Sequence, residues 1–509
     1  MTARRGSPGA RRQGILTVDV GTTAVKTTLW DESLTELASH TGEYRLVTTG
    51  GLIEVDPGVY TDATRRGIRA VLDGQDAVSV TALALTTQGE TLIAAGPDGS
   101  PLGNAIVWLD ARAQAEAARL REAIDPDTFY STTGLPELNG AVPLAKAMRL
   151  VTTLPALALP GSRLLFVEDF LVRWLTGRVV SHRSLQTSSG WLNLATDDYW
   201  EEALQAAGVE RRLLPDLVGS AEPVAPLLPE RALELGLPPG VLVVAGAMDQ
   251  AAAALGAGIA VPGRVGVSFG TALVVTASSS TPVTDPVHLP TTYRHALDGS
   301  FLVLLIEPTS GALLTWLRDL LAGDDPDSLD YARLDRLASG VPAGSDGVVA
   351  LPFFEGGGQG ALARATGGYL GLTLGTGRGH LARSLLEGTS YALRDLLGAL
   401  AALGLPATEL RTSGGGSRSA LWQSIVADVC DVEVRPLRSS EASSAGAALL
   451  AAWGSGLVAP GVDPRSLDDL AAVTPVAPEA YEPHYSRYRQ AVDALLQYWS
   501  ATTTSRRNQ

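Results

Sequence analysis

A strand–turn–strand pattern occurs twice in this chain, half a chain apart, and it constrains the fold more than any other feature. Residues 14–30 and 263–277 each contain an apolar run, then a polar residue two positions before Gly-Thr, then a second alternating run. The tip of a Gly-Thr hairpin exposes backbone N–H groups and a hydroxyl. Two such hairpins in equivalent places predict two similar lobes that face each other across a cleft, with a boundary near residues 259–263.

Strand-like and helix-like patterns alternate along the whole chain, which predicts an α/β fold. The short apolar runs predict strands at 15–20, 78–85, 241–245, 265–268, 273–276, 301–305 and 348–351, and longer periodic stretches predict helices at 112–123 and 384–403. We divide the chain into a disordered basic arm (1–13), an N-terminal lobe (14–258), a C-terminal lobe (259–500) and a tail (501–509).

Composition excludes several classes of function. The 509 residues carry a formal net charge of −15, and an acidic surface repels nucleic acid and anionic lipid. The single cysteine, Cys430, excludes an internal disulfide framework and a thiolate zinc site. No apolar run approaches the roughly 18 residues of a membrane span. We therefore expect a cytoplasmic protein without nucleic-acid or membrane partners; its oligomeric state stays open, a homodimer included.

Two aspartates follow predicted buried strands. Asp19 stands just before the first Gly-Thr turn, where one carboxylate beside phosphate-binding amides suits Mg²⁺; a turn aspartate is the alternative. Asp249 follows the run 241–245 and opens a small-residue helix, which would project a carboxylate into a cleft as a general base. A helix cap is the alternative there.

A glycine-rich segment at 411–419 lies between a predicted strand and a predicted helix. Glycines at a helix N-terminus let a nucleotide approach the backbone. A flexible linker is the alternative, but the ordered patterns on both sides argue against it.

Taken together, these motifs resemble the FGGY carbohydrate kinases over nearly the whole chain. Asp19–Lys26 is similar to the first phosphate motif of that family, Ser268–Ala272 to the second and Gly414–Ser417 to its adenosine motif. Further similar segments are the Trp-x-Asp-x-Arg element at 108–112, the segments 168–170 and 175–177, and the C-terminal signature at 367–372 and 380–388.

The resemblance implies two actin-like (ribonuclease H-like) lobes and ATP-dependent phosphorylation of a small sugar or polyol with Mg²⁺. It implies Asp249 as the general base and Asp19 as the metal ligand. It places the nucleotide at Thr22, Thr23, Lys26, Gly270, Thr271, Gly414, Gly415, Gly416, Ser417 and Ser419, and the sugar at Gln88, Glu90, Trp108, Asp110, Asp249 and Gln250. The small-residue helix at 442–453 resembles a hinge-side helix of the family.

Substrate identity rests on residues 87–91. Glycerol kinases have Gln-Arg-Glu-Thr here, whereas this chain has Gly89 before Glu90. Loss of the arginine removes a hydroxyl clamp and is expected to open space, which disfavours glycerol and favours a C4–C5 polyol or a xylulose-like ketopentose. The alternatives are a non-catalytic actin-like sensor of nucleotide or sugar, which loss of Asp19 or Asp249 would have favoured, and a nicotinamide oxidoreductase, for which the early glycine pattern is wrong.

Overall fold

The computed structural model describes residues 12–75, 77–323, 329–358, 362–437, 442–463 and 471–501. The first strand begins at Arg12, so the prediction of a disordered arm up to residue 13 is wrong for Arg12 and Gln13, which pair with the neighbouring strand. Residues 1–11 of the predicted arm and 502–509 of the predicted tail lie outside the described residues. No helix within the described ranges is long and apolar enough to cross a membrane.

The first half of the chain alternates strands and helices around one large sheet. Its elements are β1 (Arg12–Val20), β2 (Ala24–Asp31), β3 (Glu36–Glu43), β4 (Val47–Thr49), β5 (Leu52–Val55), α1 (Gly58–Leu72), β6 (Val78–Thr87), β7 (Leu92–Ala95), β8 (Ala105–Ile106), α2 (Gln114–Ala123), α3 (Pro126–Thr133), α4 (Pro143–Thr153), β9 (Arg163–Phe166), α5 (Val167–Thr176), β10 (Val180–His182), α6 (Arg183–Gln186), β11 (Leu192–Asn193), β12 (Asp198–Tyr199), α7 (Glu201–Ala207), β13 (Asp216–Val218), β14 (Pro223–Pro226), α8 (Pro229–Leu235), β15 (Leu242–Met248) and α9 (Asp249–Gly256).

The second half forms another large sheet with longer helices. Its elements are β16 (Arg264–Phe269), β17 (Leu273–Ser279), β18 (Thr291–Arg294), β19 (Phe301–Glu307), α10 (Gly311–Ala322), α11 (Tyr331–Ser339), β20 (Val349–Leu351), β21 (Gly368–Leu370), α12 (Arg378–Ala402), β22 (Glu409–Ser413), α13 (Ala420–Cys430), β23 (Glu433–Pro436), α14 (Ala442–Gly454) and α15 (Glu482–Ala501).

The two large sheets share one strand order. Five strands correspond: β3-β2-β1-β6-β15 in the first sheet and β19-β17-β16-β22-β23 in the second. A sixth strand lies at opposite ends of this order, β14 beside β15 and β18 beside β19. In each, the hairpin and the strand beside it pair antiparallel, while the next two strands pair parallel. This confirms the α/β class and the internal repeat predicted from the two Gly-Thr hairpins.

The central strands are buried on both faces, as parallel strands covered by helices are. Val18, Leu83 and Val243 are fully buried on one face of the first sheet, and their neighbours Ile15 and Ala84 are fully buried on the other. Burial on both faces explains why the sequences of β1, β6 and β15 are almost continuously apolar. Each apolar run ends where its strand reaches the edge of the sheet.

Helix α14 comes from the second half of the chain but packs on the first sheet beside α9. The two helices approach so closely that a Cβ on Gly256 would lie 1.9 Å from the carbonyl oxygen of Ala442, and one on Gly446 would lie 1.9 Å from that of Ala252. Glycine at both positions permits this contact. The predicted division of the chain at 258/259 remains a prediction.

Candidate active site

Asp19 and Asp249 stand at the same edge of the first sheet. Asp19 is the last residue but one of β1, opposite Lys26 on β2 and beside Thr86 on β6. Asp249 follows β15, the parallel neighbour of β6 on its other side, and begins α9. Both carboxylates are half-buried. The carboxyl ends of parallel strands form a common edge where α/β proteins bind ligands, and here this edge brings the two predicted acids together.

The electrostatics of this edge indicate a site for a cation. Burial and then the charges of Asp19 and Glu90 raise the pKa of Asp249 to about 7, although the N–H of Gln250 donates to its Oδ1 (2.6 Å) and acts in the opposite direction. Within the described residues there is no cluster of three or more His, Cys, Asp or Glu side chains that could hold a metal. Mg²⁺ typically takes one or two carboxylates plus phosphate oxygens and water, so the donor set fits Mg²⁺ bound together with phosphates.

The second hairpin supports the glycine-rich loop. Ser268 on β16 lies opposite Ser413, the last residue of β22. Gly414 has φ +83°, and a Cβ there would lie 2.7 Å from the carbonyl carbon and oxygen of Phe269. Around Gly415, by contrast, a Cβ would meet nothing within 4 Å. The loop is therefore packed on the hairpin at one glycine and open at the next, which excludes the linker alternative.

The loop continues into α13 through a short 3-10 turn. Ser419 caps α13 by accepting the N–H of Trp422 (3.1 Å), and Ser417 donates its hydroxyl to the carbonyl of Gly414 (2.8 Å). Both predicted nucleotide-binding serines thus shape the loop, while Thr271, at the tip of the second hairpin, is exposed.

A cavity of about 350 Å³ lies beside the first hairpin. Of the predicted substrate residues, Glu90 and Trp108 line it. The remaining walls come from Leu109, Leu135, Pro136, Glu137, Asn139, Ala141, Val142, Ser188, Thr291 and Tyr293. Apolar walls with a few polar groups are typical of a site for a small molecule.

Trp108 connects the cavity to the first hairpin. Its indole Nε1 donates to Thr22 Oγ1 (3.0 Å), and its backbone N–H donates to Thr91 Oγ1 (3.2 Å). The fully buried Lys146 donates its Nζ to the carbonyls of Val107 (3.0 Å) and Trp108 (3.3 Å). The wall of the cavity is therefore fixed from both sides.

Four predicted substrate residues do not line the cavity: Asp249, which stands at the edge of the first sheet, and three others whose groups are engaged or directed elsewhere. Asp110 is fully buried; its carboxylate accepts the N–H of Ile53 (2.6 Å) and three N–H groups of Arg112. Gln88 is buried and donates its Nε2 to the Tyr60 hydroxyl (3.4 Å). Gln250 is exposed beside Asp249.

Gly89 does not open space, so the prediction of added room at this position is wrong. A Cβ on Gly89 would lie 2.9 Å from Ser188 Oγ and 3.1 Å from Met248 Sδ, so these side chains occupy the volume. The next residue, Glu90, has φ +66°, an uncommon conformation for a non-glycine residue that is often retained at functional sites. The tight approach at Gly89 and this backbone turn together direct Glu90 into the cavity.

Sequence patterns missed several residues of the site. Thr291 and Tyr293 line the cavity from β18, an edge strand of the second sheet. Lys146, one of two lysines in the chain, was also missed as a site residue. It belongs to the site because burial raises the pKa of Glu90 and the positive charge of Lys146 opposes that rise. The sequence signal for it was the use of lysine in a chain whose cationic side chains are otherwise almost all arginine.

Comparison with known proteins identifies two family models along the chain. The model of the FGGY family of carbohydrate kinases, N-terminal domain, matches residues 14–256, and the C-terminal domain model matches residues 265–455. Among solved structures, that of the xylulose kinase from Rhodospirillum rubrum superposes with a TM-score of 0.86 at 28% identity, covering 96% of this chain and 100% of that chain. The predicted two-lobed actin-like fold is confirmed.

Relatives that match most of the chain are named as kinases of different substrates. The gluconokinase from Bacillus subtilis is 26% identical over 87% of this chain and 88% of its own length. The erythritol kinase from Brucella abortus is 30% identical over 95% and 97% of the two chains, and the glycerol kinase from Rhodospirillum centenum is 32% identical over 88% and 90%.

Proposed function

Since this chain belongs to the FGGY family of carbohydrate kinases and is an ATP-dependent kinase of a sugar or polyol, we propose that Asp249 is its general base. In this proposal the carboxylate accepts the proton of the substrate hydroxyl as that oxygen forms a bond to the γ-phosphorus of ATP. The bond from the γ-phosphorus to the bridging oxygen breaks, and ADP leaves. The place of Asp249 at the sheet edge beside Asp19 supports this role.

Asp19 is the residue that would hold Mg²⁺. Bound Mg²⁺ neutralises charge on the phosphates during transfer. Its site is supported by the half-buried carboxylate at the end of β1, directly beside the amides of the first hairpin. Thr22, Thr23 and Lys26 would contact the transferred phosphoryl group from the same hairpin.

The second hairpin and the glycine-rich loop would hold the nucleotide. Gly270 and Thr271 present backbone and hydroxyl groups at the hairpin tip, and the open surface at Gly415 offers room for an adenosine. Gly414, Gly416, Ser417 and Ser419 would maintain the loop, because each contacts the hairpin, α13 or the loop itself.

The substrate proposal is carried by one observation: Trp108 lines the cavity and hydrogen-bonds Thr22 of the phosphate hairpin. A molecule in the cavity would therefore lie beside the phosphates. A volume of about 350 Å³ is at the lower end of small-molecule sites. This size suits a short sugar or polyol, and Glu90 would accept hydrogen bonds from its hydroxyl groups. Asp110 would act indirectly, by holding Arg112.

The charges of the lining select among substrates. Among the described residues that line the cavity, Glu90 and Glu137 are acidic and none is basic. Arg112, which could otherwise clamp a hydroxyl in place of the missing arginine at position 89, gives its donors to Asp110 and Glu54. A sugar acid would meet two carboxylates, while Lys146, whose charge acts on Glu90, lies outside the lining and donates its Nζ to two backbone carbonyls. Glycerol would meet no arginine in the lining. We therefore propose a neutral C4–C5 polyol or ketose such as a xylulose-like ketopentose.

A coupled ADP-release assay over C3–C7 sugars and polyols tests this proposal, with glycerol, erythritol, xylulose and gluconate measured side by side. We expect kcat/KM for the best C4–C5 substrate to exceed that for glycerol by on the order of 100-fold, the value of one or two charged hydrogen bonds. Gluconate should be poorer still. If glycerol or gluconate were the best substrate, the proposal of a neutral C4–C5 substrate would be wrong.

The non-catalytic sensor is not favoured, because Asp19 and Asp249 are both in place and the family is one of kinases. A cytoplasmic location is part of the proposal, supported by the presence of a single cysteine. So is a homodimer, for which light scattering of the purified chain is the test.

A further inference from the structure

The strand that delivers Asp249 is irregular just before it. The pairing of β15 with β6 shifts register between Val244 and Ala247, and a β-bulge of this kind often redirects a side chain beside an active site. Gly246 lies within the shift, and a Cβ on it would stand 1.6 Å from the carbonyl oxygen of Leu85. Only glycine permits this approach, and Asp249 follows three residues later.

Two buried side chains bind the backbone of this segment. Glu168, in the first turn of α5, accepts the N–H of Gly246 at its Oε1 (3.1 Å). Ser184, in α6, accepts the N–H of Met248 at its Oγ (3.3 Å). Each of these backbone N–H groups is buried, and a buried donor without a partner is costly. The path of the chain into Asp249 therefore depends on where Glu168 and Ser184 stand.

His182 joins these two side chains to each other. Its Nε2 lies 2.7 Å from Glu168 Oε2, and its Nδ1 lies 2.9 Å from Ser184 Oγ. Because Nδ1 also accepts the backbone N–H of Leu185 (3.1 Å), the proton of a neutral imidazole belongs on Nε2, which donates to Glu168. The hydroxyl of Ser184 then donates to Nδ1 and keeps its oxygen free to accept Met248.

We propose that Glu168, His182 and Ser184 form a positioning chain that sets the place of Asp249 for proton transfer. The inference rests on the proposed role of Asp249 as general base. All three side chains are 2% exposed or less, so water cannot replace a lost partner. A displacement of about 1 Å at a reacting group can lower a rate by on the order of 10²-fold.

The test uses three variants of the full chain. Ser184→Ala removes the acceptor for Met248, Glu168→Gln keeps size but puts an amide against the imidazole, and His182→Asn breaks the link between the other two. We expect kcat to fall about 10-fold for Ser184→Ala and on the order of 10²-fold for the other two. KM for sugar and for ATP should stay within about threefold, since the substrate contacts remain.

The matched control is His288→Asn. His288 also pairs with a carboxylate, that of Asp285 (2.9 Å), but both side chains are about a third exposed and belong to the segment between β17 and β18. Its kcat should equal that of the unaltered enzyme. Calorimetric titration with sugar and nucleotide, together with thermal unfolding, separates misplacement of the base from general damage.

Three results would overturn the inference. One is a Ser184→Ala enzyme whose kcat stays within about threefold of that of the unaltered enzyme. This result would overturn the inference even if His182→Asn did not fold. Another is a loss of kcat matched by an equal loss of sugar or nucleotide affinity. The third is an active Asp249→Asn enzyme, which would overturn the proposed general base as well. If Asp249→Asn is inactive and Ser184→Ala is fully active, only the positioning chain is overturned.

Discussion

The two Gly-Thr hairpins occupy equivalent places in two sheets of the same strand order, yet they differ in charge. In the first, Asp19 lies opposite Lys26; in the second, the equivalent pair is Ser268 and Val274. Beside the first hairpin lies β6, which leads to Glu90, and beyond it β15, which leads to Asp249; beside the second lies β22, which leads to the glycine-rich loop. In the proposed function, one scaffold is therefore used twice, once with charged side chains for metal and proton chemistry and once with backbone groups for the nucleotide.

The comparison predicts its largest effect at the charged position. Asp19→Ala should lower kcat by on the order of 10²-fold or more and raise the Mg²⁺ concentration needed for activity, because phosphoryl transfer depends on charge neutralisation. Sugar binding, measured by calorimetry, should be preserved. Ser268→Ala is the matched control in the other hairpin, and we expect it to stay within about threefold of the unaltered enzyme. An unchanged Mg²⁺ requirement in Asp19→Ala would return this residue to a structural role.

The second hairpin should respond to backbone changes instead. Gly414→Ala places a Cβ at φ +83° and 2.7 Å from the carbonyl of Phe269, whereas Gly398→Ala, on the exposed side of α12, meets nothing within 4 Å. We expect the first variant to raise the KM for ATP by about 10-fold with little change in the sugar KM, since it displaces the loop from the hairpin. The second should bind ATP nearly normally. Equal behaviour of the two variants in steady-state kinetics would contradict the proposed nucleotide site.

The two sheets also differ in a pair of equivalent glutamates. Glu43 ends β3 opposite the first residue of β2 and is exposed; Glu307 ends β19 opposite the first residue of β17 and is 4% exposed. Burial raises the pKa of Glu307 to about 8. Between the ordinary value near 4.5 and about 8, the folded state holds a proton that the unfolded state releases, so stability falls as pH rises through this window.

Glu307→Gln should remove that loss. Relative to the variant, the unaltered protein should lose about 4 kcal/mol of unfolding free energy between pH 5 and pH 8.5. In thermal unfolding, the difference in Tm between the two proteins should widen steadily with pH. Glu43→Gln, the exposed counterpart, should follow the unaltered protein at every pH. A constant difference for Glu307→Gln would mean that Glu307 is ionised in the folded state.

Local patterns in the sequence were enough to predict the scaffold and both acids. A Gly-Thr turn between two apolar runs is enough to predict a hairpin. The positions of Asp19 and Asp249 could be predicted because each lies where a buried strand reaches the edge of the sheet. The cavity depends instead on contacts between distant segments, so the inclusion of Tyr293 from β18 and the filling of the space at Gly89 by Ser188 left no local signal.

The same limit explains Gln88, whose side chain turns toward Tyr60 rather than toward the cavity. It also explains the hydrogen bond between Glu168 and His182, which are separated by 14 positions and meet only when α5 and β10 pack together. Residue identity indicated polar chemistry at each of these positions, but only the packed structure shows the direction of each side chain.

The central claim, that the Asp249 carboxylate at the edge of the first sheet accepts the proton of the substrate, is tested most directly by the turnover of Asp249→Asn with sugar and ATP saturating. General-base assistance is worth roughly 10²–10⁴-fold, so we expect turnover to fall by at least about 10²-fold while calorimetry shows nearly unchanged binding of nucleotide and sugar. Retention of more than about a tenth of the normal turnover would contradict the account, because loss of the general base should lower turnover by at least about 10²-fold.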